Sequence, residues 1–157
     1  NFAAQCARKL RGQHTVCNSI TIFAHTSRFR EDLPQSYIYR TVNLPVPTND
    51  HQELVSMAVK MLRGDWKECD GYYYKKAGVI VWGICRDNAI QGNLFDTVNR
   101  EKQAALAKAI DAINRKNGYN KIRVAVQGNE KGWQLKREYI SKQYTTNLDD
   151  VIVVKIK

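Results

Sequence analysis

Apolar and polar residues change period several times along this chain, and each change predicts an element. Ala3, Ala7 and Leu10 recur at helical spacing, with Lys9 and Arg11 near the end and Gly12 as a stop. From about Val16 to Ala24 the period drops to two. Ser19, Thr21 and Phe23 alternate with Ile20, Ile22 and Ala24, which predicts a strand. A polar loop covers His25 to Asp32. A second strand is expected from Tyr37 to Leu44, stopped by Pro45-Val46-Pro47 because proline cannot donate to a central ladder.

Asp50 then reads as a helix cap, with Glu53 completing a capping-box-like pair. Leu54, Ala58, Met61, Leu62 and Trp66 form one apolar stripe, with Lys60, Arg63 and Lys67 mainly off it and Gly71 closing the segment. A third strand is predicted from Tyr74 to Cys85. Arg86 to Asn99 is a polar loop. A helix over Glu101 to Lys116 follows, with Leu106, Ile110 and Ile113 as its apolar face and Asn117-Gly118 as its stop. A short strand is expected at Ile122 to Val126, then a polar and aromatic tail with Trp133, Tyr139 and Tyr144 that ends in an apolar run from Val151 to Val154. There is no internal repeat and no low-complexity segment.

These elements predict an α+β fold, an antiparallel sheet with helices packed on one face, carrying a small helix-and-strand C-terminal appendage. Three segments are expected: residues 1–86, a linker at 87–99, and a basic C-terminal domain at 100–157. The opening helix lacks a capping pattern and reads as a chain that starts partway through an element.

With 157 residues, 43% of them hydrophobic, the chain can build a core, and wholesale disorder is excluded. Charge adds the first functional clue. The net charge is +10, a field that concentrates polyanions near the surface. It is uneven: residues 97–157 carry 13 basic and 6 acidic side chains, against 12 and 9 in residues 1–96. Cys6, Cys17, Cys69 and Cys85 form no closely spaced pair, so they read as reduced thiols of a cytoplasmic protein rather than zinc ligands. No apolar run approaches the roughly 20 residues needed to span a bilayer.

Gln91-Gly92-Asn93-Leu94-Phe95 sets two adjacent large apolar residues in a hydrophilic loop. Leu94 and Phe95 can anchor in a partner's pocket, with Gln91 making polar contacts at its mouth. The bland alternative folds both back onto the domain's own core. The spacing resembles the pentapeptide with which bacterial proteins bind the sliding clamp. A second candidate set lies at strand ends: Thr26, Ser27, Arg28 and Arg30 after the first strand, Arg40 within the second, Lys75 and Lys76 opening the third. Hydroxyls and cations of this kind are the usual partners of phosphate oxygens. A solvated rim is the alternative.

No catalytic constellation is visible. Asp149-Asp150 read as a solvated turn. His14, His25 and His51 lack a Ser or Cys partner at motif spacing, and no glycine-rich phosphate loop is present. A stand-alone enzyme is therefore disfavoured, and a free-standing basic interaction or scaffold module remains the competitor to a DNA-binding reading. Ser141, Tyr144, Thr145 and Thr146 look motif-like without a chemical role.

Taken in order, four stretches resemble the little-finger domain of Y-family translesion polymerases, of the bacterial polymerase V type. They are Ala7 to Arg11, Ile20 to Phe29, Leu44 to Asp50, and Lys75 to Val81. The tail, through Ala109 to Gly118, Trp133 and Lys136 to Thr146, resembles that family's small C-terminal domain of unassigned function. The resemblance implies a sheet laid across the duplex major groove and a clamp-binding peptide at Gln91 to Phe95. It implies no cofactor in this segment, since the Mg-binding carboxylates belong to a palm domain upstream. It also implies a parent enzyme that is an error-prone DNA-directed DNA polymerase in SOS mutagenesis. The implied partners are DNA without sequence preference, the sliding clamp, a UmuD-like dimer and RecA. The family order starts with a strand that is missing here. An exposed sheet edge is therefore expected, covered by a second copy of the chain as a homodimer or by the strand near Ile122–Val126.

Overall fold

Thr15–Thr26 (β1) is the centre of the sheet because strands pair with both of its edges; Ile20, Ile22 and Ala24 are buried on one face, while Ser19, Thr21, Phe23 and His25 point to the other. The computed structural model describes residues 1–66, 72–118, 121–127, 141–144 and 150–151. It divides into two compact units, residues 1–127 and 128–157.

In the first unit, Phe2–Gly12 (α1) precedes β1, and Tyr37–Thr48 (β2) returns antiparallel beside it. His51–Asp65 (α2) follows, then Tyr74–Trp82 (β3), which pairs antiparallel with the other edge of β1. The sheet order is β2-β1-β3, with Cys85–Arg86 (β4) pairing the first residues of β1. Arg100–Asn117 (α3) and a single 3-10 turn at Ala125–Gln127 complete the unit. This is the mixed α+β architecture, with an antiparallel sheet, that the residue periods predict.

The core lies between the sheet and α1 and α2. Ala3, Ala7 and Leu10 meet Ile20, Cys17, Leu44, Leu54 and Val55. Ile22, Ala24 and Ile38 extend it toward Met61 and Leu62. Burying these side chains is the main stabilising term, at roughly 25 cal/mol per Å² of apolar surface. Burial also pushes the Cys17 thiol up to about 11, so it stays protonated inside the core.

Asp50 caps α2 as expected: its Oδ2 accepts from the N–H groups of Gln52 (2.9 Å) and Glu53 (3.0 Å). The reciprocal half of the capping box is absent. The Asp50 N–H donates to Thr48 Oγ1 at 3.0 Å, and the Glu53 carboxylate instead pairs with Arg100 at 2.7 Å. His51 is buried with neither ring nitrogen hydrogen-bonded, and burial pushes its imidazole below the usual histidine range.

Several expectations need correction. β2 does not stop at Pro45 but runs on to Thr48. Its register with β1 shifts between Cys17 and Ser19, and the two prolines sit in that irregular stretch of an edge strand, where no inward ladder bond is lost. The third strand ends at Trp82, not Cys85, because Gly83 takes a φ of +60°. Ile122–Val126 is not a strand. Asn114 satisfies Ile122 through its side chain, at 2.8 Å to the N–H and 3.0 Å to the carbonyl, and a 3-10 turn follows. That segment therefore does not cover a sheet edge. The outer edges of β2 and β3 have no strand partner among the described residues.

On α3 the buried position is Ala107, while Leu106 and Ile113 are exposed. A charged pair sets the rotation of the helix. Arg11 of α1 forks onto Asp111 at 2.6 and 2.8 Å and also donates to the Asn49 carbonyl at 2.9 Å. This ties α3 to α1. In the second unit the Gln143 N–H donates to Asp150 Oδ2 at 2.9 Å. The expectations for Lys67, Cys69 and Gly71, and for Trp133, Tyr139, Thr145, Thr146, Asp149 and Ile152–Val154, fall outside the described residues.

Candidate functional site

Two features stand out where the helices do not cover the chain. The first is the sheet face turned away from α1 and α2. Strand pairing arranges it in rows: Tyr37, His25 and Lys76; then Tyr39, Phe23 and Gly78; then Thr41, Thr21 and Ile80; then Asn43, Ser19 and Trp82. Tyr37, Tyr39 and Trp82 are exposed. The Trp82 indole N–H donates to Thr21 Oγ1 at 2.9 Å, and that hydroxyl meets Thr41 Oγ1 at 2.8 Å. The indole is therefore drawn down across the strands rather than projecting from them.

Apart from Arg40, the candidate phosphate-binding residues gather at one end of the sheet, but not all in the same state. Arg28 is exposed and lines a shallow groove with His25, Gln35, Ser36 and Tyr37. Lys75 and Lys76 are exposed at the start of β3. No salt bridge engages Arg28, Lys75 or Lys76 among the described residues. Ser27 is half-buried, and its carbonyl accepts from the Arg30 N–H at 3.2 Å. Thr26 is buried, and its hydroxyl donates to Gln35 Oε1 at 2.8 Å and accepts from the Ser36 N–H at 3.1 Å. It staples the base of the loop and has no free donor for a ligand.

Arg30 and Arg40 are already partnered. Arg30 forks onto Asp32 at 2.8 and 2.6 Å, and its hydrogen bonds hold the Asp32 carboxyl below the usual range. Arg40 pairs opposite Ile22, so it projects toward the helix side, where it forks onto Asp65 at the end of α2 at 2.6 and 2.9 Å. The Asp65 carboxyl is held low by the same bonds. Sequence spacing put Arg40 with the others; alternation within β2 puts it on the opposite face.

The second feature is the loop from Asp87 to Asn99. Leu94 is 99% exposed and Phe95 89% exposed, so neither folds back onto the core. They occupy the tip of a turn closed by the Asp96 N–H to the Asn93 carbonyl (3.0 Å), with the Phe95 N–H donating to Asn93 Oδ1 at 3.0 Å. Gln91 is exposed on the approach. Arg100, which no sequence motif singles out, anchors the far side. It bonds Asp96 at 2.7 Å, Glu53 at 2.7 Å and Thr48 at 3.4 Å, joining the loop to α2 and β2. The Arg100 bond and the Val98 N–H hold the Asp96 carboxyl low. The signal that would have found it is the Asp96–Arg100 pair at i, i+4.

The aromatic rows were legible as alternation in β1 and β2 but carry no motif, so spacing alone did not single them out. No helix among the described residues is long and apolar enough to cross a membrane.

Comparison with known proteins adds the family. Residues 1–94 match the impB/mucB/samB family C-terminal domain, and residues 104–154 match a domain of unknown function (DUF4113). Protein UmuC of Salmonella typhimurium is 37% identical over 156 residues, 99% of this chain and 36% of its own length. Protein ImpB of Salmonella typhimurium is 33% identical over 99% of the chain and 36% of its own length. Protein MucB of Escherichia coli is 32% identical with the same two coverages, 99% and 36%. The chain thus spans little more than a third of each of these relatives. With one family model covering most of its first unit, and these relatives matching it almost end to end, the chain belongs to the impB/mucB/samB family.

Proposed function

We propose that this chain is the DNA-holding and clamp-tethering region of an error-prone translesion polymerase, a little-finger domain with its C-terminal appendage. The observation that carries the reading is the open sheet face with Arg28, Lys75 and Lys76 unpaired at its rim, while the helices sit on the other side. A broad β surface edged by exposed cations can follow a sugar–phosphate backbone without reading bases. The exposed Leu94–Phe95 turn supports the second part, since a partner pocket can bury both side chains at no cost to this fold.

In this reading the segment performs no bond-making. Nucleotide addition, with Mg, belongs to the palm of the parent DNA polymerase, and DNA repair by SOS mutagenesis is the setting. The sliding clamp takes Gln91, Leu94 and Phe95. A UmuD-like dimer and RecA are further partners through the resemblance, and a second copy of the chain can add to an open edge of β2 or β3.

A fluorescence titration against duplex DNA at two salt concentrations tests the DNA part. Affinity should fall steeply as salt rises, because each neutralised phosphate releases counterion, with a slope of about −0.9 per contact. Binding that is flat across the salt series, or absent at low salt, contradicts the reading.

A further inference from the structure

The open sheet face carries more than cations. A run of rings crosses it from Phe23 through His25 and Tyr37 to Tyr39, with centroid separations of 6.5, 6.4 and 6.1 Å. Their planes differ by only 21°, 30° and 3°. Tyr37 is 62% exposed and Tyr39 45% exposed. The Phe23 ring leans over the neighbouring strand: a Cβ on Gly78 would stand 2.5 Å from its Cζ and 2.6 Å from its Cε1. Gly78 therefore provides the space that lets this ring lie down and keeps the face shallow. Lys76 pairs beside His25 within the run, and Arg28 lines the groove beside Tyr37.

Near-parallel aromatic planes left in solvent and bordered by unpaired cations suit one chemistry in particular. Unpaired bases offer π faces to such rings while their phosphates meet the cations. A duplex cannot use the rings in this way, since its bases are already stacked and present only their edges in the grooves.

We propose that this face is a stacking platform for single-stranded DNA, with Tyr37 and Tyr39 as the exposed stacking residues and Lys76 and Arg28 as phosphate contacts. The inference rests on the reading that this face meets DNA and goes beyond it in assigning the rings to unpaired bases. Other single-sheet readers stack about two or three bases on such a platform.

The test uses the whole chain and three labelled probes: an oligothymidylate, an abasic oligomer of the same length, and a duplex. Tyr37→Thr with Tyr39→Thr keeps β propensity at both positions. It should weaken oligothymidylate binding about tenfold or more, the equivalent of one or more lost stacking contacts, and leave the abasic and duplex probes unchanged. Tyr37→Phe with Tyr39→Phe keeps the rings and should retain oligothymidylate affinity. An unchanged oligothymidylate affinity in the threonine variant overturns the proposal. So does an equal loss on all three probes, or a loss in the phenylalanine variant, which would point to hydroxyl bonding. If the unaltered chain binds duplex in a salt-dependent way while the tyrosines prove silent, this inference falls alone. If it binds none of the three, the DNA reading falls with it.

Discussion

Replacing Leu94 and Phe95 together with alanine is expected to abolish capture of the sliding clamp and to leave the melting temperature of the chain unchanged. The two halves of this result have one cause. At 99% and 89% exposure, the side chains bury almost nothing on folding, so their removal costs the fold almost nothing. Seated in a partner pocket, they would be its central anchors. Such residues typically cost about 2 kcal/mol or more each on truncation, so losing both reaches roughly a thousandfold in affinity. Arg100→Ala makes a useful contrast. It keeps both anchors but removes the links to Asp96, Glu53 and Thr48 that hold the loop's base. Binding should weaken by much less, because only pre-organisation is lost. Surface plasmon resonance on immobilised clamp reads both effects. Retained affinity in the Leu94/Phe95 variant would refute the role given to this loop.

The second large effect concerns Arg28, Lys75 and Lys76. Substituting all three with alanine should make the slope of log affinity against log salt less negative by about 2.7, at about 0.9 per lost phosphate contact. Between about 50 and 200 mM salt, the fall in duplex affinity should then shrink roughly fortyfold, the fourfold salt change raised to that lost slope. Arg40→Ala is the internal control. Its guanidinium is spent on Asp65 on the helix side, so duplex affinity should hardly move. A titration in which Arg40→Ala matches or exceeds the triple variant would show that the wrong face has been assigned.

Local chemistry carried much of the fold. Asp50 announced the start of α2 because a carboxylate there satisfies two orphan N–H groups, and it does so in the structure. Alternation along β1 separated the core face from the open face. What stayed illegible depended on tertiary partners. The helical period of Leu106, Ile110 and Ile113 suggested a buried stripe, but the Arg11–Asp111 fork turns α3 so that Ala107 faces inward. Ile122–Val126 has the apolar content of a strand, yet the Asn114 amide takes the backbone groups of Ile122 that a ladder would need. The prolines of β2 read as a stop because the sequence does not show that β2 is an edge strand with a register shift.

The candidate site divides in the same way. Leu94 and Phe95 were legible because large apolar residues in a polar loop have nothing local to bury them. Arg28, Lys75 and Lys76 were legible as cations near strand ends. Arg30 and Arg40 looked equivalent to them until the forks with Asp32 and Asp65 distinguished them. Thr26 was legible as a hydroxyl, but its bonds to Gln35 and Ser36 are visible only in the folded loop.

Lysine acetylation with and without bound duplex DNA tests the central assignment most directly, because the reactive lysines lie on different elements. Lys76 pairs beside His25 on the open face and Lys75 is exposed next to it at the start of β3, whereas Lys60 lies on α2 and Lys102 and Lys108 lie on α3. Bound DNA should protect Lys75 and Lys76 and leave Lys60, Lys102 and Lys108 reactive. Protection of Lys102 and Lys108 with Lys75 and Lys76 still fully modified would place the DNA elsewhere and contradict the account.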